Sequence, residues 1–340
     1  MHYFLDTFKK IVTANPNQVT LITHEQLVRK EHPYRKILEI IDFRKLCSTI
    51  QKHNKHIQAQ QGYGIVTLFK ALLLQFMEDL SDREMQRFLE ENKAAKYFCG
   101  FSMQEKTPHF TCFSKVRERI GTHRLAKLFA KIRDSLKNQG YLPEVFTCVD
   151  ASHLVSKAHL WRERDQALQA QYEKLNNRVL PKVAVDQQAS IGCKNKNTYW
   201  YGYKKHVSLD MQTGLINKVA VTPAHIPDAQ GLKHICPRQG AVYGDKGYSV
   251  SPARVELARG GCHNATIKRK AMKDKDRDKD RWYSRLRAPY ERVFSHQRRR
   301  VRYRGIAKNQ FSEFFSALCY NLKRLLVLIE AGPPPQLQLA

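Results

Sequence analysis

The chain has 340 residues, 42% of them hydrophobic, and 59 Lys and Arg against 31 Asp and Glu give a formal net charge of +28. That length and apolar content supply a buried core for one large or two modest domains and exclude global disorder. A positive excess on this scale repels itself unless a polyanion neutralises it; nucleic acid fits, because each phosphate contact releases a condensed counterion.

The N-terminal MHYFLDTFKKIV lacks the apolar core of a signal peptide. Residues 1–140 read as an all-helical domain, expected to bind DNA. Apolar residues recur at helical spacing over 37–53 and 65–90 without Gly or Pro. The greasiest stretch, around 68–77, is interrupted by Lys70 and is too short to span a bilayer. Ser81-Asp82-Arg83-Glu84 forms a capping box, and Thr107-Pro108 marks another helix start with Pro in the first turn. Lys115, Arg117 and Arg119 follow, so this region reads either as a helix-turn-helix or as a packed bundle with solvated charges.

From Glu144 the texture changes. Residues 145–149 form a short apolar strand leading into Asp150. Residues 199–221 alternate around Gln212-Thr213-Gly214, a hairpin signal, and Ala241-Val242-Tyr243 is another strand before Gly244-Asp245. Residues 265–268 suggest one more. The polar stretch 157–197 is expected as an insertion, and 273–280, alternating Lys or Arg with Asp, as a solvated connector. A helix is expected roughly between Trp282 and Arg299, its regular part beginning near Ala288 with Pro289 in its first turn, and a last helix runs over about 310–330 on a stripe of Phe311, Phe314, Phe315, Leu318 and Leu322. The catalytic unit is expected over 141–330, with a disordered tail over 331–340. None of the eight cysteines falls at a zinc-knuckle or redox-pair spacing, so free thiols in a reducing compartment are expected.

Three carboxylates stand out by context. Asp150 ends one strand, Asp245 follows another, and Glu291 lies in the helix after them. Phosphodiester chemistry needs an activated oxygen nucleophile and relief of phosphate charge; two divalent cations about 3.5–4 Å apart supply both, held by a few hard oxygen ligands. Singly, each has a plainer reading: Asp150 capping a turn, Asp245 serving the turn from Gly244 to Gly247, Glu291 pairing with Arg287. Their order beside a basic segment favours a shared site. Residues 268–304 carry 16 Lys and Arg against 5 Asp and Glu. Arg287, Glu291 and Arg298 share roughly one helix face. Lys246, Arg292, Arg299, Arg300, Arg302 and Arg304 extend a track suited to phosphates.

These segments resemble the DDE transposases of bacterial insertion sequences. Asp150 after Cys148-Val149 matches the family's first Asp, and Asp245-Lys246-Gly247-Tyr248 its second. The family's Glu lies in a signature of Tyr, two residues, Arg, three residues, Glu, six residues, Lys. Arg287, Glu291 and Arg298 occupy the last three places, with Arg for Lys; Ser284 stands where the Tyr belongs and Tyr283 is one residue away. The hairpin Gly202-Tyr203-Lys204-Lys205-His206 and the helical stretch 80–119 also resemble the family.

The resemblance implies an α/β fold: an RNase H-like mixed sheet with flanking helices behind the helical N-terminal domain. It implies Asp150, Asp245 and Glu291 as catalytic residues holding Mg²⁺ or Mn²⁺. The expected DNA contacts are Lys246, Arg287, Arg292, Arg298, Arg299, Arg300 and Arg302. The expected partners are DNA with terminal inverted repeats, target DNA and further copies of the chain on DNA, with no membrane partner and a cytoplasmic, nucleoid-associated location. Two other readings stay open: an RNase H-like nuclease that cuts without joining, and a non-catalytic DNA-binding descendant. His206 and Asp228 are lesser candidates, read as a hydrogen-bonded strand residue and a helix cap.

Overall fold

Alternating side-chain burial builds the sheet that positions everything else. The computed structural model describes residues 23–53, 62–156, 169–170, 176–195, 197–273, 275–295 and 301–332. β1 (Phe146–Val155), β3 (Thr198–Asp210) and β4 (Ile216–Pro223) run antiparallel, with β3 between the other two. β2 (Ser190–Asn195) pairs with the first part of β3, before β4 takes over that edge. β5 (Ala241–Tyr243) lies parallel to β1 on its other side, and β6 (His263–Asn264) parallel to β5. This is the RNase H-like mixed sheet that the resemblance implies. The hairpin turn at Gln212-Thr213-Gly214 is as expected: Asp210 Oδ1 accepts from the Gln212 and Thr213 amides, and Gly214 takes a left-handed φ of 74°.

Two faces follow from the pleat. Cys148, Val207, Leu209, Ile216 and Val219 enter the largest core on one face. Val149 and Val242 meet Ala229, Leu232, Ile235 and Leu257 on the other, where α9 (Asp228–Ile235) and α10 (Ser251–Arg259) cover the sheet. The last helix, α12 (Ile306–Glu330), crosses β4 and joins the sheet to the N-terminal helices. Its Phe315 lies 5.4 Å from Phe69 and stacks at 4.9 Å on Phe76, both on α4 (Ile65–Met77). One core therefore runs from the helices into the sheet, each buried Phe or Leu contributing about 1.5–3 kcal/mol.

The first helical residues form α1 (His24–Leu27), α2 (Pro33–Ile40) and α3 (Phe43–His53), so the helix expected over 37–53 is two, broken at residues 41–42. The Ser81 capping box forms as expected at the head of α5 (Asp82–Glu91): Ser81 Oγ accepts from the Glu84 amide and Glu84 Oε2 from the Ser81 amide. After α6 (Lys93–Cys99), α7 (Phe110–Asn138) begins two residues later than Pro108 suggested, with His109 as its cap. It breaks at Gly121, whose φ of 66° is left-handed. Met85 and Leu89 of α5 and Phe113, Val116 and Ile120 of α7 are buried in the common core, while Lys115 and Arg119 face solvent. This is the packed-bundle arrangement.

Two expectations are corrected. The stretch expected as an insertion ends in the short α8 (Leu180–Val183) and strand β2, which the polar composition of Ser190–Asn195 hid; residues 157–168 and 171–175 lie outside the described residues, as do 333–340 of the tail. The late helix α11 (Arg277–Ser295) does not begin near Ala288 but passes through Pro289. Proline removes one amide donor and crowds the carbonyl four residues back. Arg285, Ala288 and Pro289 are all exposed, so the proline lies on the solvent side of the helix. The supposed connector, finally, contains the first turn of this helix. Its Asp280 is buried and accepts from Lys275 Nζ at 2.7 Å and the Lys268 amide at 3.0 Å.

Candidate active site

Parallel pairing of β1 with β5 matches Phe146 to Ala241, Thr147 to Val242 and Cys148 to Tyr243. Asp245 follows the end of β5 by two residues, as Asp150 follows Cys148 along β1, and its charge acts on the Asp150 carboxyl. Asp245 ends its strand and turns the chain: its Oδ1 accepts from the Gly247 amide at 2.8 Å and caps the single 3₁₀ turn Lys246–Tyr248. The turn role and a role in the site are thus compatible.

Asp150 is largely buried. Its carboxyl is pushed up from 3.8 to about 6, first by burial and then by the charges of Asp245 and Asp228. Arg287 and the Ala151 amide pull the other way. Arg287 is itself buried, its guanidinium 4.0 Å from Asp150 and in contact with Cys148. Its Nε has no partner among the described residues. Arg287 therefore acts on Asp150 from beneath and does not project toward solvent as a phosphate contact would.

Glu291, one turn further along α11, is exposed, and its charge reaches the Cys148 thiol two residues from Asp150. One turn before Arg287, Tyr283 is buried edge-on against Tyr243 at 5.4 Å. Tyr283, Arg287 and Glu291 thus form one stripe, four residues apart, laid over the ends of β5 and β1. Ser284, in the signature place of the Tyr, is exposed. The Tyr290 hydroxyl donates to the Met211 carbonyl and fixes this turn of the helix to the β3–β4 hairpin.

Of the other expected cations, the side chains of Lys246 and Arg302 are described. Lys246 is exposed beside Asp245. The side chain of Arg292 and the whole of Arg298, Arg299 and Arg300 lie outside the described residues. Arg302 is committed elsewhere: it donates to the Leu80 carbonyl at 2.7 Å, pairs with Asp79 at 2.8 Å and covers the Phe76 ring. It ties the segment before α12 to the α4–α5 turn, next to the Arg117–Asp82 pair at 2.6 Å.

Among the described residues no three His, Cys, Asp or Glu side chains converge closely enough to hold a metal ion as they stand. The donor set nevertheless suits a hard divalent cation. It is all carboxylate oxygen, and the ionised form of Asp150 is held at a disadvantage that a cation would relieve.

Of the two lesser candidates, His206 is the hydrogen-bonded strand residue expected, and Asp228 departs from its reading. His206 donates or accepts at Thr222 Oγ1 through Nε2 at 2.8 Å, its Nδ1 has no partner among the described residues, and burial lowers its pKa to about 4. It lies on the sheet face opposite Asp150, under Gly231. Asp228 is not a helix cap. It is the first residue of α9 and accepts from Lys204 Nζ at 2.8 Å, close to the Asp245 turn. Sequence alone hides this pairing, because the Lys comes from a separate strand.

A family model described as "Transposase domain (DUF772)" matches residues 22–119, and one described as "Transposase DDE domain" matches residues 143–322, more than half of the chain. Among solved structures, the chain is similar to a Mos1 transposase paired-end complex with the left transposon end. The identity is 9% and the TM-score 0.19, over 86% of this chain and 96% of that one. A pre-cleavage Mos1 transpososome matches at 9% identity and a TM-score of 0.17, over 74% and 78% of the two chains. Likeness this slight transfers no residue from one chain to the other.

Proposed function

The chain belongs to the DDE transposase family, and from that premise we propose that Asp150, Asp245 and Glu291 are the carboxylates with which it cuts the ends of an insertion sequence and joins them to target DNA. What supports this reading is that the charges of Asp245 and Arg287 both act on the Asp150 carboxyl, with Arg287 4.0 Å from it on the helix that also carries Glu291.

The three carboxylates would hold Mg²⁺ or Mn²⁺, which supplies Lewis-acid polarisation of the phosphodiester and a more acidic water or 3′-hydroxyl nucleophile. Arg287 keeps the Asp150 carboxylate oriented in its buried setting and offsets part of the repulsion from Asp245. Lys246, exposed next to Asp245, receives a phosphate close to the reacting one. Arg292, Arg298, Arg299 and Arg300 are assigned phosphate contacts from the sequence alone, and exposed Lys115, Arg119, Lys127 and Lys131 on α7 add general affinity. Arg302 serves as a strut. Terminal inverted repeats present two equivalent ends, so the active species is a homo-oligomer on DNA.

The test is cleavage of end DNA with Mg²⁺ or Mn²⁺ by Asp150→Asn, Asp245→Asn and Glu291→Gln, beside a gel-shift. Each is expected to lose cleavage and keep binding; near wild-type cleavage removes that residue from the set. A strand-transfer assay on pre-cut ends separates the transposase from a nuclease that only hydrolyses, which yields no joined product.

A further inference from the structure

Two half-buried thiols meet where α9, α10 and β6 come together. Cys236 caps the C-terminus of α9, and Cys262 lies between α10 and β6. A methyl group built on Gly260 would be 3.3 Å from both sulfurs, so the residue without a side chain at the end of α10 leaves them room to approach each other. Cys262 Sγ lies 3.5 Å from the Pro237 carbonyl and 3.7 Å from that of Gln239, on the stretch that leaves Cys236 for β5. Cys236 Sγ lies 3.7 Å from the Glu256 carbonyl of α10. The thiols also act on each other. Burial pushes the Cys236 thiol up to about 12, and Cys262 beside it raises it further. Burial raises the Cys262 thiol too, but the hydrogen bond from Cys236 pulls it back, and the charge of Lys218 favours the thiolate of both. Cys262 is therefore the better nucleophile of the two. Among the described residues no third His, Cys, Asp or Glu joins the pair to make a metal centre.

We propose that Cys236 and Cys262 are a reversible dithiol–disulfide couple, oxidised by small-molecule disulfides of the glutathione class to a bond that fastens the end of α9 to the turn between α10 and β6. The Cys262 thiolate attacks one sulfur of glutathione disulfide and expels a glutathione thiolate. Cys236 then gives up its proton, attacks the Cys262 sulfur of the mixed disulfide and expels the second glutathione. Two electrons and two protons pass from the pair to glutathione disulfide, which leaves as two thiols. The loop that this bond closes contains β5, the Asp245 turn and α10. Closing it removes conformational freedom from the unfolded chain, so the oxidised form resists unfolding of the segment that carries Asp245.

The experiment incubates the folded, full-length protein with glutathione disulfide, quenches it in acid, alkylates the remaining thiols in denaturant and maps the peptides by mass. The wild type is expected to yield a peptide pair linked through Cys236 and Cys262 that dithiothreitol returns to thiols, and its melting temperature should rise on oxidation by about 3–6 °C. Cys236→Ser should stop at a glutathione adduct on Cys262, formed several-fold faster than the adduct on Cys236 in Cys262→Ser; the reverse order refutes Cys262 as the attacking thiol. A wild type that keeps glutathione adducts at both positions, or leaves both thiols free under conditions that modify the exposed Cys193, overturns the couple. A linked peptide pair without a rise in melting temperature means that the bond forms only by distorting the fold, and overturns the staple. Should either serine variant fail to fold, the wild-type map and melt decide alone.

Discussion

Asp150→Asn is expected to stabilise the metal-free protein. In the fold the Asp150 carboxyl rises from 3.8 to about 6, because burial and two neighbouring aspartates outweigh the attraction of Arg287. That displacement is already net of Arg287, so the ionised form remains unfavourable even with its cation in place. At about 1.4 kcal/mol per tenfold change it amounts to about 3 kcal/mol. A quarter of the side chain is still exposed, and solvent screening brings the expected gain to about 1–2 kcal/mol. The folded pKa is the higher one, so the folded state keeps its proton longer than the unfolded chain. The Asp150 contribution to stability is therefore fully present below about 4, is lost as pH rises from about 4 through about 6, and is level beyond. Asparagine lacks this dependence. Urea unfolding of both proteins in EDTA, from pH 4 to pH 8, should show a difference that opens across this window and persists above it. Saturating Mn²⁺ should reverse the order by stabilising only the wild type. A mutant less stable than wild type at pH 8 in EDTA would mean that the Arg287 attraction dominates, and the account of Asp150 as a strained carboxylate would be refuted.

Three further outcomes are expected. Arg302→Gln and Asp79→Asn should each lower stability by about 1 kcal/mol, and the double variant should be no worse than Arg302→Gln; additive losses in thermal melts would separate the two residues. Gly231→Ala should cost about 2–3 kcal/mol, because its methyl would fall 2.2 Å from His206 Cε1; an unchanged urea midpoint would contradict that packing. DNA affinity should fall with a slope of several on a log–log plot against salt, given the net charge of +28, and a flat plot would contradict the electrostatic account.

What could be read from the sequence was whatever a short window encodes. Asp150 and Asp245 stood out because each follows an apolar run, although β1 continues through Asp150 to Val155, and the Ser81 box and the Thr213-Gly214 turn are set by neighbours within four residues. Relations between distant segments were not readable. An apolar stripe on α12 says that the helix is buried but not that Phe315 meets α4 on one side while α12 covers β4 on the other. Asp228 looked like a cap because Pro227 precedes it, whereas its partner Lys204 lies on β3. The Lys-Asp alternation over 273–280 resembled a solvated linker, yet Asp280 folds inward onto Lys275 and the Lys268 amide. Cys236 and Cys262, far apart in sequence, have both sulfurs 3.3 Å from a methyl built on Gly260.

Arg287 is the sharpest departure from the sequence reading, which placed it among the phosphate contacts. A chain with so many exposed cations has no need to bury one for DNA affinity, and burying a guanidinium costs several kcal/mol unless it is paired. Its nearest groups are Asp150 and Cys148, and its helix stripe ends at Glu291. Under the proposed function its worth would lie in holding the Asp150 carboxylate, which bears on the transition state more than on binding. Arg281 and Arg285 provide the contrast, since they are exposed on the same helix. Arg287→Gln should lose cleavage at least about a hundredfold while keeping DNA affinity within a few-fold. Arg281→Gln/Arg285→Gln should weaken binding and, once occupancy is matched, cleave normally. Single-turnover cleavage at saturating protein, beside a gel-shift, separates these outcomes. If Arg287→Gln weakens binding as much as it weakens cleavage, the buried guanidinium must turn out to meet a phosphate in the complex, and its assignment to Asp150 is wrong.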